Sequence, residues 1–110
     1  KYGKGEVLPK GSRLEAFSYY FDRYYTDQAF DIVAAFLSSA RERSVTPAQL
    51  ALAWVLAEPR ISCPILGARS VQQLTDSLAG TKLHLSPEER SSIPAVLPGR
   101  WTGKDPVYDR

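Results

Sequence analysis

The sequence predicts an α/β chain rich in helix, on two observations. Helical periodicity and helix-start signals recur between residues 26 and 60, and again after Ser70 and Ser86. Between them one apolar run, Ile61 to Leu66, reads as a strand that ends in Gly67 and opens into a helix whose Val71, Leu74 and Leu78 share a face. One strand cannot make a sheet. Its N–H and C=O groups must pair somewhere if they are buried, so the neighbouring strands are expected from outside these 110 residues.

Composition narrows the functional classes. With 44% hydrophobic and 24% charged residues the chain has the makeup of a globular domain. The longest apolar run, Leu50 to Ala57, is far short of the ~20 residues a bilayer needs, so no membrane span is expected. A formal charge of +2, with acids and bases interspersed, gives no nucleic-acid footprint. The single Cys63 cannot form a disulfide within the chain and fits a reducing, cytoplasmic compartment. The absence of methionine and the start at Lys1 suggest a fragment or a processed piece.

Residues 1–25 carry glycine and proline punctuation and then the aromatics Phe17, Tyr19, Tyr20, Phe21, Tyr24 and Tyr25, without a clear period. This segment is either a connector held down by its aromatics or a loop that covers a ligand. From Thr26 or Asp27 a helix is predicted, with Phe30, Val33, Leu37 and Ala40 on one stripe. The next helix has a complete start signal: Thr46 as N-cap, Pro47 at the first helical position, Gln49 three residues after the cap, and Val45 placed to pack on Leu50. Its body, Leu50 to Ala57, is apolar nearly all round, and Trp54 is read as a core anchor.

At the central turn, Gly67 allows close approach to the backbone, Arg69 offers a forked cation, and Ser70 with Gln73 is read as a capping box. An anion there would meet free N–H groups, the positive helix end and a guanidinium; the bland alternative is an ordinary strand-to-helix connection. Gly80 is placed as a C-cap, Ser86-Pro87-Glu88-Glu89 makes a second capping box, and Pro94 should stop the short helix before an irregular tail through Trp101. His84, the one histidine, has no acidic or cysteine partner at ligand spacing, and no metal site is expected.

In combination, Pro47-Ala48-Gln49-Leu50-Ala51-Leu52-Ala53-Trp54, then Pro64-Ile65-Leu66-Gly67-Ala68-Arg69-Ser70 with Gln73-Leu74, and Leu85-Ser86-Pro87-Glu88-Glu89 resemble the C-terminal third of an aldo-keto reductase. The branch it resembles includes bacterial general aldo-keto reductases and the β subunits of voltage-gated potassium channels. The resemblance implies a C-terminal fragment of a (β/α)8 TIM barrel, dependent on the remainder of that barrel. Residues 1–25 would be the loop after strand seven, 26–60 helices, 61–80 strand eight with the cofactor-phosphate helix, and 81–110 the C-terminal helix and tail. Barrels of this kind often place a phosphate site in the loops after strands seven and eight, which is where the Gly67 to Ser70 turn would fall.

The resemblance further implies NADP(H) as cofactor and a small aldehyde or ketone as substrate. Gly67 and Arg69 match positions at the cofactor 2′-phosphate, and Gln73 matches one that supports them. Asp76 and Ser77 match the usual Glu-Asn pair at the adenine, each in a shortened form. Lys1 matches the lysine of a Thr-Gly-Lys-Tyr segment, and Arg13 matches an arginine on the loop that folds across the pyrophosphate. None of the family's catalytic Asp, Tyr, Lys and His can be matched, so no catalytic residue is assigned here. The implied function is the cofactor-binding portion of an NADPH-dependent reductase. The alternatives are a nucleotide-binding regulatory subunit of potassium-channel β type and a catalytically inactive interaction module.

Overall fold

A computed structural model describes residues 2–93, which fall into two compact units, 2–34 and 35–93, each described by itself. The helices in chain order are α1 (Arg13–Ala16), α2 (Ser18–Tyr24), α3 (Asp27–Glu42), α4 (Pro47–Leu56), α5 (Val71–Ala79) and α6 (Pro87–Ser92), with one 3-10 turn, Gly80–Lys82, directly after α5. The expected C-terminal tail from Pro94 through Trp101 lies outside the described residues.

In the first unit Tyr19, Tyr20, Phe21 and Tyr24 fall on a helix, α2, and Tyr25 just beyond it ties the unit together. Its ring stacks on Phe21 at 4.5 Å and meets Phe30 edge-on at 4.9 Å. Its hydroxyl accepts from the Gly5 amide and donates to the Gly3 carbonyl, both at 3.0 Å. A chain segment with no helical period is thus pinned at Gly3–Gly5 by one tyrosine, with Gly5 at φ +76 making the turn.

Helix α3 starts as read, with the Thr26 hydroxyl accepting from the Ala29 amide. Of the predicted stripe, Ala40 is buried and Phe30 and Leu37 are half-buried, whereas Val33 is exposed. Phe36, not counted in the stripe but adjoining Ala40 on the helix surface, packs on the core. The helix ends in a Schellman arrangement: the Ser44 amide bonds the Arg41 carbonyl and the Val45 amide bonds the Ala40 carbonyl. This puts Ser44 at φ +54, where glycine is the usual residue.

In the second unit the core gathers Ala40, Leu50 and Ile93, with Val45, Trp54, Leu83 and Leu85 packed against them. Val45 therefore meets the cluster that holds Leu50, as the staple requires. Leu83 and Leu85 turn inward and His84, between them, is exposed, the alternation that extended backbone imposes. Trp54 anchors α4 to α6 by a reciprocal pair: its indole N–H donates to the Arg90 carbonyl at 3.0 Å, and Arg90 Nε donates to the Trp54 carbonyl at 3.2 Å. The Arg90 guanidinium lies 4.2 Å from the centre of the indole and also pairs with Glu58 at 2.9 Å.

One expectation is corrected. Ile61 to Leu66 is not a strand, and no strand forms among the described residues. A strand exists through the hydrogen bonds of its neighbour, and nothing in the described residues supplies one. Ile65 is consequently 99% exposed and Ile61 and Leu66 are also uncovered.

Candidate functional site

The central turn is built on the N-terminus of α5. Ser70 is its N-cap, in extended conformation at φ −145 and ψ 157, and its hydroxyl accepts from the Gln73 amide at 3.2 Å. The reciprocal half of the predicted box is displaced by one residue: Gln73 Oε1 accepts from the Arg69 amide at 2.9 Å and not from Ser70. Gln73 therefore folds the Arg69 backbone onto the helix end. The side chain of Arg69 is left exposed, and a Cβ at Gly67 would meet nothing within 4 Å. The amides of Val71 and Gln72, first-turn donors without intrahelical partners, take no acceptor among the described residues. A guanidinium, an open glycine and two free amides thus share one helix end, a donor set suited to a phosphate.

Asp76, two turns along, has its carboxylate already engaged. Gln49 Nε2 donates to Oδ1 at 2.8 Å, and the Thr46 hydroxyl donates to Oδ2 at 3.0 Å. The same Thr46 and Gln49 form the capping box of α4, with Gln49 Oε1 accepting from the Thr46 amide and the Thr46 hydroxyl accepting from the Gln49 amide. Every polar atom of the box is used, and the negative charge sits where the α4 dipole favours it. Ser77, next to Asp76, is half-buried, and its carbonyl accepts from the Gly80 amide.

The structure thus gathers Gly67, Arg69, Gln73, Asp76 and Ser77 on one turn and its helix. Arg13 belongs to the other unit, where it opens α1 behind the N-cap Ser12, stands 5.5 Å from the Tyr20 ring centre, and lines a cavity of about 470 Å³ with Tyr2, Tyr25 and Phe30. Lys1 lies outside the described residues. Among the described residues no cluster of three or more His, Cys, Asp and Glu could hold a metal ion, and no helix is long and apolar enough to cross a membrane.

Sequence reasoning missed two features of this region. The Thr46–Gln49–Asp76 contact joins residues about thirty positions apart, and only the capping box itself was written in local spacing. The Glu58 carboxylate is held down to a pKa of about 2, first by its hydrogen bond from Arg60 at 2.6 Å and then by the charges of Arg60 and Arg90. The proximity of Glu58 to Arg60 in sequence could have suggested the pair, but Arg90 could not be placed there without the fold.

A family model described as "Aldo/keto reductase family" matches residues 3–98. "Protein tas" of Escherichia coli is 38% identical over 96 residues, covering 87% of this chain and 27% of the relative. "Putative voltage-gated potassium channel subunit beta" of Schizosaccharomyces pombe is 33% identical over 103 residues, covering 88% and 29%. "Probable aldo-keto reductase 1" of Glycine max is 32% identical over 98 residues, covering 87% and 28%. The chain spans less than a third of the length of these relatives.

Proposed function

The chain belongs to the aldo/keto reductase family, and from that premise we propose that it forms the C-terminal, cofactor-binding portion of an NADPH-dependent reductase of aldehydes and ketones. The family folds as a (β/α)8 barrel. In the complete protein, residues 61–66 would supply strand eight, pairing the backbone that has no strand partner here and covering Ile65. The reading carries with it a cytoplasmic location, which the exposed free thiol of Cys63 suits.

The observation that carries the proposal is the Arg69 turn. Gln73 fixes the Arg69 backbone, Gly67 leaves room beside it, and the guanidinium is free to reach a 2′-phosphate together with the first amides of α5. Ser77 follows toward the adenine, and Arg13 and Lys1 are assigned to the pyrophosphate side. When bound, the nicotinamide supplies the hydride, and the proton donor comes from residues outside this chain. The tyrosines present here are not assigned to that role. Tyr25, for one, spends its hydroxyl on the Gly3–Gly5 backbone.

The test is a titration of NADPH and NADH against the complete protein and its Arg69→Ala variant. Loss of charge-assisted hydrogen bonds should weaken NADPH by about 1.5–3 kcal/mol and leave NADH nearly unchanged. Equal weakening of both would remove the 2′-phosphate assignment, and no change in either would make the turn a connector. A second reading, a nucleotide-binding regulatory subunit, is favoured by the similarity to a protein named as a potassium channel β subunit. It keeps the same phosphate clamp and parts from the first in turnover: the reductase oxidises NADPH with a test carbonyl and the regulatory subunit does not.

A further inference from the structure

We propose that Asp76 is a positioning residue, which holds the phosphate turn in place by fastening α5 to the N-terminus of α4, and that it does not read the adenine. The inference rests on the phosphate reading of Arg69 and reassigns one member of that site.

Exposure along α5 shows what fastens it. Residues 71–75 are all exposed, Val71 at 81% and Leu74 at 40%, so the first turn and a half of the helix has little packing to fix its direction. Asp76 is the first residue of α5 that is half-buried, and it carries the bonds from Gln49 at 2.8 Å and Thr46 at 3.0 Å. The other attachment is at the far end, where Gly80 lies directly on the backbone of Gln49. Gln73 and Asp76, three residues apart, lie on neighbouring positions of the helix face. Gln73 holds the Arg69 backbone and Asp76 holds α4, so the chain of contacts from the guanidinium's backbone to the α4 cap runs through two side chains one turn apart.

The chemistry of the carboxylate favours this role over adenine recognition. Both oxygens already accept, one from a hydroxyl and one from an amide, and those donors are themselves locked by the reciprocal cap. Turning the carboxylate toward a ligand would strand the Gln49 amide and the Thr46 hydroxyl at a helix N-terminus that favours negative charge.

Gln49→Glu separates the roles, because glutamate keeps the capping box but loses the donor and faces the Asp76 carboxylate with a like charge. In the complete protein this variant should weaken NADPH by roughly two- to thirtyfold, the range for a residue that acts without touching the ligand, and leave NADH unchanged. The double variant Gln49→Glu/Asp76→Asn reverses the polarity of the bond, with the side-chain amide introduced on α5 donating to the carboxylate introduced on α4, and should restore NADPH affinity. An adenine contact predicts the opposite pattern: Asp76→Asn alone weakens NADPH and NADH equally, and the double variant restores neither. That result would overturn the proposal, as would a Gln49→Glu variant that binds NADPH normally. If Arg69→Ala leaves NADPH binding intact, the phosphate reading has failed on its own. The melting temperature then decides the fastening: a drop in Gln49→Glu recovered in the double variant supports it, and no recovery overturns it.

Discussion

Gly80→Ala sets two physical effects of opposite sign against each other. Gly80 has φ −63 and ψ −19, helical values open to any residue, so local propensity alone says alanine should stabilise by about 1 kcal/mol. Packing says otherwise. A Cβ at Gly80 would lie 2.6 Å from the Gln49 carbonyl oxygen, 2.8 Å from its Cα and 3.1 Å from its carbonyl carbon. All three are backbone atoms in the first turn of α4, so no rotamer change relieves the overlap. The helix end must move away, and Gln49 is also the donor to Asp76 at 2.8 Å, so the movement stretches that bond as well. Overpacking against fixed backbone belongs at the top of its usual range, about 3 kcal/mol, and less the propensity gain the net loss is about 2 kcal/mol. The assay is urea unfolding of the complete protein, wild type against Gly80→Ala, with Ala79→Gly as a control that should lose about 1 kcal/mol through propensity alone. A Gly80→Ala protein as stable as wild type, or more so, refutes the close approach of α4 and the end of α5.

Ser44→Gly should stabilise by about 0.5–1 kcal/mol, because it removes left-handed strain at φ +54 and gives back only part of that gain through unfolded-state entropy; the measure is the midpoint in urea. Glu58 has its pKa lowered from 4.5 to about 2, so its contribution is present above pH 4.5 and is lost as pH falls toward 2. The melting temperatures of wild type and Glu58→Gln should therefore differ by a constant amount well above that window and converge as pH falls through it. The 110 residues expressed alone should self-associate, since Ile65 at 99% and Val71 at 81% exposure are uncovered, as are Leu74 and Leu78 on the Val71 face of α5. A monomer in sedimentation velocity, with a sharp two-state melt, would contradict that.

Local signals were legible where the physics is local. Thr46 with Gln49 and Ser86 with Glu89 both formed the reciprocal caps their spacing specifies, because a capping box needs only four residues and a helix to follow. Ser70 with Gln73 came close and slipped by one, because the Gln73 side chain reached the Arg69 amide in preference to that of Ser70. Gly80 was read as a cap, and it is one, but the reason for glycine there is the backbone of Gln49 and not a left-handed conformation. No spacing rule carries that information. The strand failed for a different reason: Ile61 to Leu66 has the composition of a strand, and composition cannot supply a hydrogen-bonding neighbour. On α3 Val33 is uncovered and Phe36, four residues before Ala40 and beside it on the helix, is covered, because periodicity fixes which residues share a face and leaves open how far the neighbours extend along it.

These contacts make the phosphate turn depend on α4 more than on its own loop. The turn itself buries nothing: Gly67 has open space beside it, and Arg69 and Ser70 are exposed. Arginine at such a site loses rotamer freedom when it binds, and its grip weakens further if the backbone beneath it also has to be ordered at that moment. Gln73 removes part of that second cost by tying the Arg69 amide to the helix. The helix is in turn held at Asp76 and Gly80, both on the first turn of α4, and α4 is held by Leu50, which is fully buried, and by Trp54 clasped to Arg90. A substitution in α4 that never approaches the ligand, such as Trp54→Ala, should therefore act on cofactor affinity through the same chain. Relative to its effect on stability, it should act less than Gln49→Glu, which touches the fastening directly.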